Sequence, residues 1–496
     1  MVKRNEKALL YILAAIGQLE KNGDTFFDDK QLFDACCQEN TKLTSGQYQR
    51  DKSALIRKKL LYLEGGKIYL KRTWDYEAAA VNYLADILSN NVTRGVDLPD
   101  PLTCGDVTLS SQQRKAIATA LSSRLSMILG GAGSGKTTLI RAMVKAAPFP
   151  RYTVVAAAPT GKAARNLTER TGIQARTIHS ALGKVPDENF LDPVYWEYVH
   201  LVIIDEASMV SLEMLAGILN RVSKDCRVVL LGDPNQLLAV GAGNVLSDLW
   251  ELDIPVTYLE QQYRQSESAE ALRHNVVEFP KLHDVSELHW DDSFRLIPAS
   301  DTEIAEIVCH EASKRYLAGE SVQVLSMTNY KTAFSAANLN CGIQNLVNPL
   351  TEGALTWGNF RNGDRMIVLK NDSEQDLSNG DIGLLLLLGD TAILPLEHRV
   401  GMWSTEYPPK DLALAYALTV HKSQGSQYDT VILPVSTAAS KMLYRNLLYT
   451  AISRAKKQVI LVGSMEALHV AMQVTPRPRR SKLVSKTRML LLQRTA

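Results

Sequence analysis

Apolar positions along the chain follow two rhythms. Beyond residue 105, compact aliphatic runs at 126–129, 153–158, 201–204 and 227–231 alternate with stretches of helical spacing. Strands that are apolar without interruption, set between helices, predict a parallel sheet covered on both faces. A second alternating block opens at "SVQVLS" (321–326) and resumes across 411–464, with runs ending at Leu433 and Val462. The stretch 352–410 differs. There "NGDRMIVLK", "NGDIGLLLLL" and "TAILPL" are strand-like pieces parted by Asn-Gly-Asp turns, the pattern of a small antiparallel barrel. Residues 1–100 mix helix-like stretches (7–20, 50–64, 75–89) with a strand-like "GKIYLKR" after Gly65-Gly66. Gly, Pro and Asp cluster in "TRGVDLPDPLTCGDVTL" and put a domain boundary near 95–107. The expected fold class is therefore α/β: two α/β domains, the second with a β insertion, behind a small mixed N-terminal domain.

Composition narrows the function classes more by exclusion. The 496 residues carry 55 Lys+Arg against 53 Asp+Glu, a net charge of +2, so any polyanion must be gripped in a local groove and not by a whole-molecule field. Cys36, Cys37, Cys104, Cys226, Cys309 and Cys341 show no CxxC or zinc-like spacing, which predicts reduced thiols and a cytoplasmic setting. The start, "MVKRNEKALLYILAAIGQLEKNG", imitates a secretory signal, but Leu9, Leu10, Ile12, Leu13 and Ile16 fit one face of an amphipathic helix and no small-residue cleavage site follows. No run of 18 apolar residues predicts a membrane span. The last 22 residues, "TPRPRRSKLVSKTRMLLLQRTA", hold seven Lys/Arg and no acid and are expected to form a mobile, solvated basic tail.

One stretch carries unmistakable chemistry. "MILGGAGSGKTTLIRAMVKAA" is a strand, a glycine-rich loop and a helix, with the spacing Gly130-x4-Gly135-Lys136-Thr137. Glycines let successive backbone N–H groups turn toward phosphate oxygens, and the helix N-terminus adds the positive end of its dipole. Gly130, Gly131, Ala132, Gly133, Ser134, Gly135, Lys136, Thr137 and Thr138 are thus expected to bind a nucleoside triphosphate. Lys136 would reach the β and γ phosphates and Thr137 would ligate Mg2+. "HLVIIDEASMV" ends an apolar strand in Asp205-Glu206 at the carboxyl edge of the sheet, where ligands of such sheets bind. Asp205 is expected to hold Mg2+, and Glu206 to orient and deprotonate the attacking water; the plainer alternative is a helix N-cap with an acidic first turn.

The remaining motifs carry a resemblance. "LSSQQRKAI", "GGAGSGKTT", "AAAPTGKAA", "TIHSALG", "VIIDEASMV", "LLGDPNQLLAVGAGNVLSDL", "YRQ", "ALTVHKSQGSQYD" and "LLYTAISRAKKQVIL" occur in the order and spacing of a superfamily 1B DNA helicase of the RecD family, across about 105 to 464. The resemblance implies two RecA-like P-loop NTPase domains, at 105–265 and at 266–351 with 411–470, and an SH3-like β insertion at 352–410. It further implies an N-terminal docking domain (1–100), a tail (471–496), and a small duplex-splitting hairpin near 183–199 that contains Phe190, Tyr195 and Trp196, for which core packing is the alternative. It assigns ATP as cofactor, adenine reading to Gln113, γ-phosphate sensing to Gln236, and arginine fingers to Arg264 and Arg454.

For nucleic acid, "PTGKAA" (159–164) and "TIHS" (177–180) offer Pro159, Thr160, Lys162, Thr177 and His179, small polar groups suited to phosphate and sugar. Thr160 can also cap the helix that follows, and both roles can hold together. In "LTVHKSQGSQYD", Thr419, His421, Lys422 and Ser423 are candidate grips on the strand, and Gln424 with Gly425 candidate links to ATP. The expected partners are single-stranded DNA, duplex junctions and RecB/RecC-like or other subunits through residues 1–100. The expected activity is ATP-dependent 5′ to 3′ translocation in recombination or repair. An RNA helicase and a regulatory subunit with little activity of its own stand as alternatives; nothing suggests a nuclease, because no further carboxylate cluster accompanies a basic residue.

Overall fold

The apolar run at 126–129 becomes the second strand of a six-stranded sheet. Its order in space is Val256–Leu259, Leu125–Gly130, Arg227–Gly232, Leu201–Ile204, Val154–Ala158, Ala175–Thr177, and every neighbouring pair is parallel. The strands are buried on both faces, and their alternation feeds two cores: Met127, Leu129, Val202 and Ile204 point to one side, Ile128, Leu201 and Ile203 to the other. The computed structural model describes residues 2–89, 96–99, 102–183, 194–260, 269–372, 374–396 and 399–495.

A second sheet of five parallel strands runs in the order Phe294–Pro298, Ala455–Gly463, Tyr428–Val435, Val322–Ser326, Ala417–Thr419. The paired α/β architecture expected from the alternation is therefore present. Between the strands at 322–326 and 417–419 the chain leaves to form antiparallel β structure. Ile382–Leu384, Arg365–Val368 and Leu412–Leu414 make one small sheet, and Leu386–Leu388, Thr391–Pro395 and Val400–Ser404 another. Trp357, Met366, Leu385, Leu387 and Leu394 give this insertion its own core.

The N-terminal region begins with α1 (Val2–Lys21), α2 (Asp29–Glu39) and α3 (Ser45–Arg57), followed by the hairpin β1 (Leu61–Glu64) and β2 (Lys67–Leu70) and by α4 (Lys71–Ser89). The helix expected at 50–64 is thus split. Lys59 takes a left-handed conformation (φ 58°) that ends the helix, and residues 61–64 pair with 67–70 across Gly65-Gly66. Helix α4 does not stay with the N-terminal unit: Ala80, Leu84 and Ile87 pack into the core of the first α/β domain with Leu125 and Leu215.

The C-terminal segment overturns its expectation as a mobile, solvated tail. After the helix Met465–Gln473, residues 475–481 run as a strap, and Leu483–Thr495 is a helix whose Leu483 is fully buried in the core of the first α/β domain. The cations that suggested solvation are spent on fixed partners. Arg477 forks onto the buried carboxylate of Asp24 (2.5 and 3.2 Å), and Arg480 pairs with Asp28 (2.8 Å). Arg479 donates to the carbonyls of Ala239 (2.6 Å), Gly241 (3.2 Å) and Gly243 (2.8 Å). A basic sequence with no acids of its own finds them on the elements it crosses, which sequence order hides.

Candidate nucleotide cleft and nucleic-acid groove

The glycine-rich loop leaves the buried strand Leu125–Gly130 and enters the helix Lys136–Ala146, whose Leu139, Ile140, Met143 and Val144 are buried. Gly133 and Gly135 are left-handed (φ 86° and 81°), and a Cβ on Gly130 would lie 2.6 Å from Ser134 Oγ and 3.0 Å from Leu259 Cβ. The loop therefore requires glycine where the sequence supplies it. Lys136 Nζ donates to the carbonyls of Gly130 (2.5 Å) and Gly131 (2.9 Å), which holds the ammonium over the loop.

Around this loop a cleft closes. Asp205 and Glu206 from the first sheet, Gln236 after its third strand, and Gly425 and Arg454 from the second domain line it together with Lys136 and Thr137. Glu206 is a non-glycine residue at φ 52°, a strained conformation of the kind that clusters at functional sites. Gln236 is buried, and its Oε1 has no hydrogen-bond partner among the described residues. An acceptor left unsatisfied in a phosphate-binding cleft fits a group that meets a ligand there. Among the described residues no cluster of three or more His, Cys, Asp or Glu could cage a metal alone. The oxygens of Thr137 and Asp205 suit Mg2+, which takes its other ligands from phosphate and water.

Sequence reasoning missed three cleft residues. Arg170 and Gln427 line it, and Asp233 lies buried behind it, accepting from Tyr449 Oη (2.8 Å) and the Asn235 amide (3.1 Å). Burial raises the pKa of Asp233 while the nearby Lys136 ammonium lowers it. Asp233 carried a signal, because it follows an apolar strand at the same sheet edge as Asp205; Arg170 carried none. Tyr449 belongs to the second-domain helix Arg445–Ile452, which grips the Gln236 loop twice more: Thr450 Oγ1 accepts from the Leu237 amide (2.9 Å), and Asn446 donates to the Asn235 carbonyl (3.0 Å).

A separate groove gathers the polar motifs. Pro159, Thr160, Lys162, Thr177 and His179 line it from the first domain, His421, Lys422 and Gln424 from the second, and Lys370, Asn371, Asn379 and Gly380 from the insertion. The insertion residues were not foreseen; only their turn chemistry was. Thr160 and Thr177 also cap the helices behind them, accepting from Ala163 (3.3 Å) and Ser180 (3.1 Å). The helix Gly161–Thr171 is clamped from both sides. Lys162 donates to the Gly380 carbonyl (3.1 Å), Arg165 pairs with Asp381 (2.5 Å), and Asn166 donates to the Gly425 carbonyl (2.5 Å). Burial lowers the pKa of Lys162 to about 8 and also lowers those of His421 and Lys422.

Comparison with known proteins identifies the chain's family. A family profile described as an AAA domain matches residues 108–290, and one described as a UvrD-like helicase C-terminal domain matches 414–462. The "ATP-dependent RecD2 DNA helicase" of Deinococcus radiodurans is 31% identical over 90% of this chain, which spans 62% of that protein. The "RecBCD enzyme subunit RecD" of Mycolicibacterium smegmatis is 30% identical over 84% of this chain and 81% of its own. The chain belongs to the RecD family of ATP-dependent DNA helicases. Among solved structures, the Pif1 helicase from Candida albicans aligns with 78% of this chain and 100% of its own at 20% identity, with a TM-score of 0.46.

Not every expected residue lines the cleft or the groove. Gln113 is not among the residues lining the cleft; its Oε1 accepts from the Ser110 amide (3.0 Å), and the Ser110 hydroxyl accepts from the Gln113 amide (3.2 Å), closing a capping box. Thr138 lies one residue beyond the cleft lining. Thr419 and Ser423 lie behind the groove: Thr419 caps the turn by accepting from the Lys422 amide (3.4 Å), and buried Ser423 donates to the Val420 carbonyl (2.7 Å). Arg264, Phe190 and most of the expected hairpin lie outside the described residues. Of its neighbours, Tyr195 is exposed, whereas Trp196 packs against the first motor core.

Proposed function

We propose that this chain is a motor that hydrolyses ATP to translocate 5′ to 3′ along single-stranded DNA and to open duplex at a junction, in recombination or repair. One observation carries this reading: two elements touch both sites. The loop at 421–425 puts Lys422 and Gln424 in the groove and Gly425 in the cleft, and the helix Gly161–Thr171 puts Lys162 in the groove and Arg170 in the cleft. A change in the cleft must move groove residues with it.

In this reading Lys136 holds the β and γ phosphates, Glu206 orients the attacking water, and Arg454 from the second domain, with Arg264 from its border, neutralises the transferring phosphoryl group. Thr137 and Asp205 would hold Mg2+, which would supply further charge neutralisation. Gln236, bracketed by the Arg445–Ile452 helix, senses the γ phosphate, and closure and release of the domains shift the groove's grip along the strand. The insertion acts as an SH3-like third wall of the groove. The deciding experiment compares unwinding of 5′-tailed and 3′-tailed duplexes, with ATPase stimulated by single-stranded DNA or RNA. Activity on the 3′ tail alone refutes the direction, and stimulation by RNA alone refutes the substrate.

The pKa of Lys162 gives a second test. Its folded pKa is depressed to about 8, so the ammonium is present at pH 7 and lost as pH rises through 8. A bound phosphate favours the charged form, so DNA affinity is full below pH 8 and falls above it. One charge-assisted contact corresponds to about tenfold. Anisotropy titrations at pH 7 and pH 9 should show that excess loss in the natural protein and not in Lys162→Arg, whose guanidinium stays charged; equal losses would remove Lys162 from the phosphate path.

A second reading, a motor subunit of a larger nuclease–helicase assembly docked through residues 1–100, is supported by the match to RecBCD subunits. RecB/RecC-like chains recovered with the native protein would establish it. Cysteines without disulfide partners among the described residues support a cytoplasmic setting, and no helix there is long and apolar enough to cross a membrane.

A further inference from the structure

The N-terminal module has a chain order that its composition conceals. Helix α1 is followed by Phe27, which bridges antiparallel to Ile68 of β2; then come α2, a tight turn at 40–44, α3, and the β1–β2 hairpin. Helix, short strand, helix, turn, helix, strand, wing, strand is the order of a winged helix-turn-helix, in which the second helix of the pair presents its outer face to a DNA groove. The turn is built for its place: Thr44 caps α3 by accepting from Gln47 (3.3 Å), and Asn40 Oδ1 accepts from the Lys42 amide (3.3 Å). Gly65 and Gly66, both left-handed (φ 54° and 74°), form the tip of the wing.

Charge on α3 is sorted by face. Residues 41–60 contain Lys42, Arg50, Lys52, Arg57, Lys58 and Lys59 against Asp51 alone. Three groups are already used: Asp51 accepts from Tyr11 Oη (3.0 Å), and Asp29 pairs with Lys52 (2.5 Å) and accepts from the Gln49 side-chain amide (3.0 Å). Tyr48 and Leu55 are buried. The opposite stripe, Gly46, Gln49, Arg50, Ser53 and Arg57, follows helical spacing and is exposed throughout. None of Lys42, Arg50, Arg57, Lys58 and Lys59 has an ion-pair partner among the described residues. A helix stripe with two unpaired arginines, a hydroxyl and no acid of its own is complementary to phosphate and base edges, not to an apolar partner.

We propose that residues 2–70 are a winged helix that holds double-stranded DNA on the α3 face formed by Arg50, Ser53 and Arg57. This site is separate from the motor groove. It is nonetheless rigidly referenced to it. The Thr25 amide donates to the Arg480 carbonyl (2.8 Å), the Gly243 amide donates to the Gly23 carbonyl (2.8 Å), and Lys21 and Asn22, at the end of α1, line a cavity that also contains the groove residue His421. The module thus sits beside the single-strand path and is strapped to the motor, as a grip on the duplex arm of a junction requires.

The test uses the full chain and covalently closed circular duplex, which offers the motor neither end nor tail. The triple variant Arg50→Ala/Arg57→Ala/Lys58→Ala should bind this duplex about tenfold more weakly, and the salt slope should flatten by about 0.9 for each phosphate the variant no longer neutralises. Ser53→Glu, an exposed change that leaves the core untouched, should weaken duplex binding in the same direction. Affinity for single-stranded DNA and the ATPase it stimulates should stay within twofold in both variants, because these residues lie outside cleft and groove. Unchanged duplex affinity in both variants overturns the proposal. So does loss of a co-purifying protein with duplex binding intact, which would assign the face to protein docking. Failure of the motor reading is distinct, because single-stranded DNA would then fail to stimulate the natural protein as well.

Discussion

Alanine at Lys136 is expected to lower ATP turnover by about two to three orders of magnitude while leaving the fold intact. The ammonium is the one cation contributed by the phosphate loop, and removing a preorganised donor from a transition-state charge costs about that much. Structural loss is small because Lys136 bonds only within its own loop, to the carbonyls of Gly130 and Gly131 and, at 3.5 Å, to the Ser134 hydroxyl. A stability change within about 1 kcal/mol follows. Lys136 also lowers the pKa of Asp233, which burial otherwise raises. Its loss therefore strengthens the tendency of that buried carboxyl to hold a proton beside Tyr449. Affinity for single-stranded DNA should change little, since Lys136 is not among the groove residues. Steady-state ATPase with a thermal melt decides the matter: retained turnover would remove Lys136 from the chemistry, and a collapsed melt would make it structural.

Much of the motor was legible because buried parallel strands have no polar face to interrupt them. The runs at 201–204 and 227–231 became Leu201–Ile204 and Arg227–Gly232, and the glycine loop sits where its flanking strand and helix put it. What the sequence concealed depends on contacts between distant segments. Thr419 and Ser423 belong to the same polar loop as Lys422, yet a single turn decides which side chains face the groove and which cap the backbone. Asp233 acquires its character only when Tyr449, 216 residues away, donates to it. The strand at 61–64 was missed because α3 and β1 adjoin without a Gly or Pro; the break is made by Lys59 in a left-handed turn. The basic tail was misread for a related reason: its acids lie on α1–α2 and on α4.

That strap supplies the second large effect. Glu77→Ala is expected to destabilise the protein by about 3 kcal/mol, the low end for breaking a buried pair. Glu77, on α4, is fully buried; it accepts from Thr25 Oγ1 (3.1 Å) and the Lys482 amide (3.1 Å) and pairs with Lys486 (2.7 Å). One carboxylate thus joins the N-terminal module, the first motor and the C-terminal helix. Alanine leaves the Lys482 amide unmatched, at a cost of about 1–3 kcal/mol, whereas the Thr25 hydroxyl keeps the Arg480 carbonyl (3.2 Å). Lys486 is better placed, since Glu64 lies 2.5 Å away and the Tyr69 ring 4.8 Å away, so its charge keeps a partner and the total stays at the low end. Asp24→Ala should cost less, because Arg477 is half exposed and can rehydrate when its carboxylate goes. Calorimetry should show the Glu77→Ala transition several degrees lower, with Glu77→Gln between it and the natural protein, since an amide oxygen still accepts from Thr25 and Lys482. Equal midpoints for all three would mean that the strap lies on the motor without holding it.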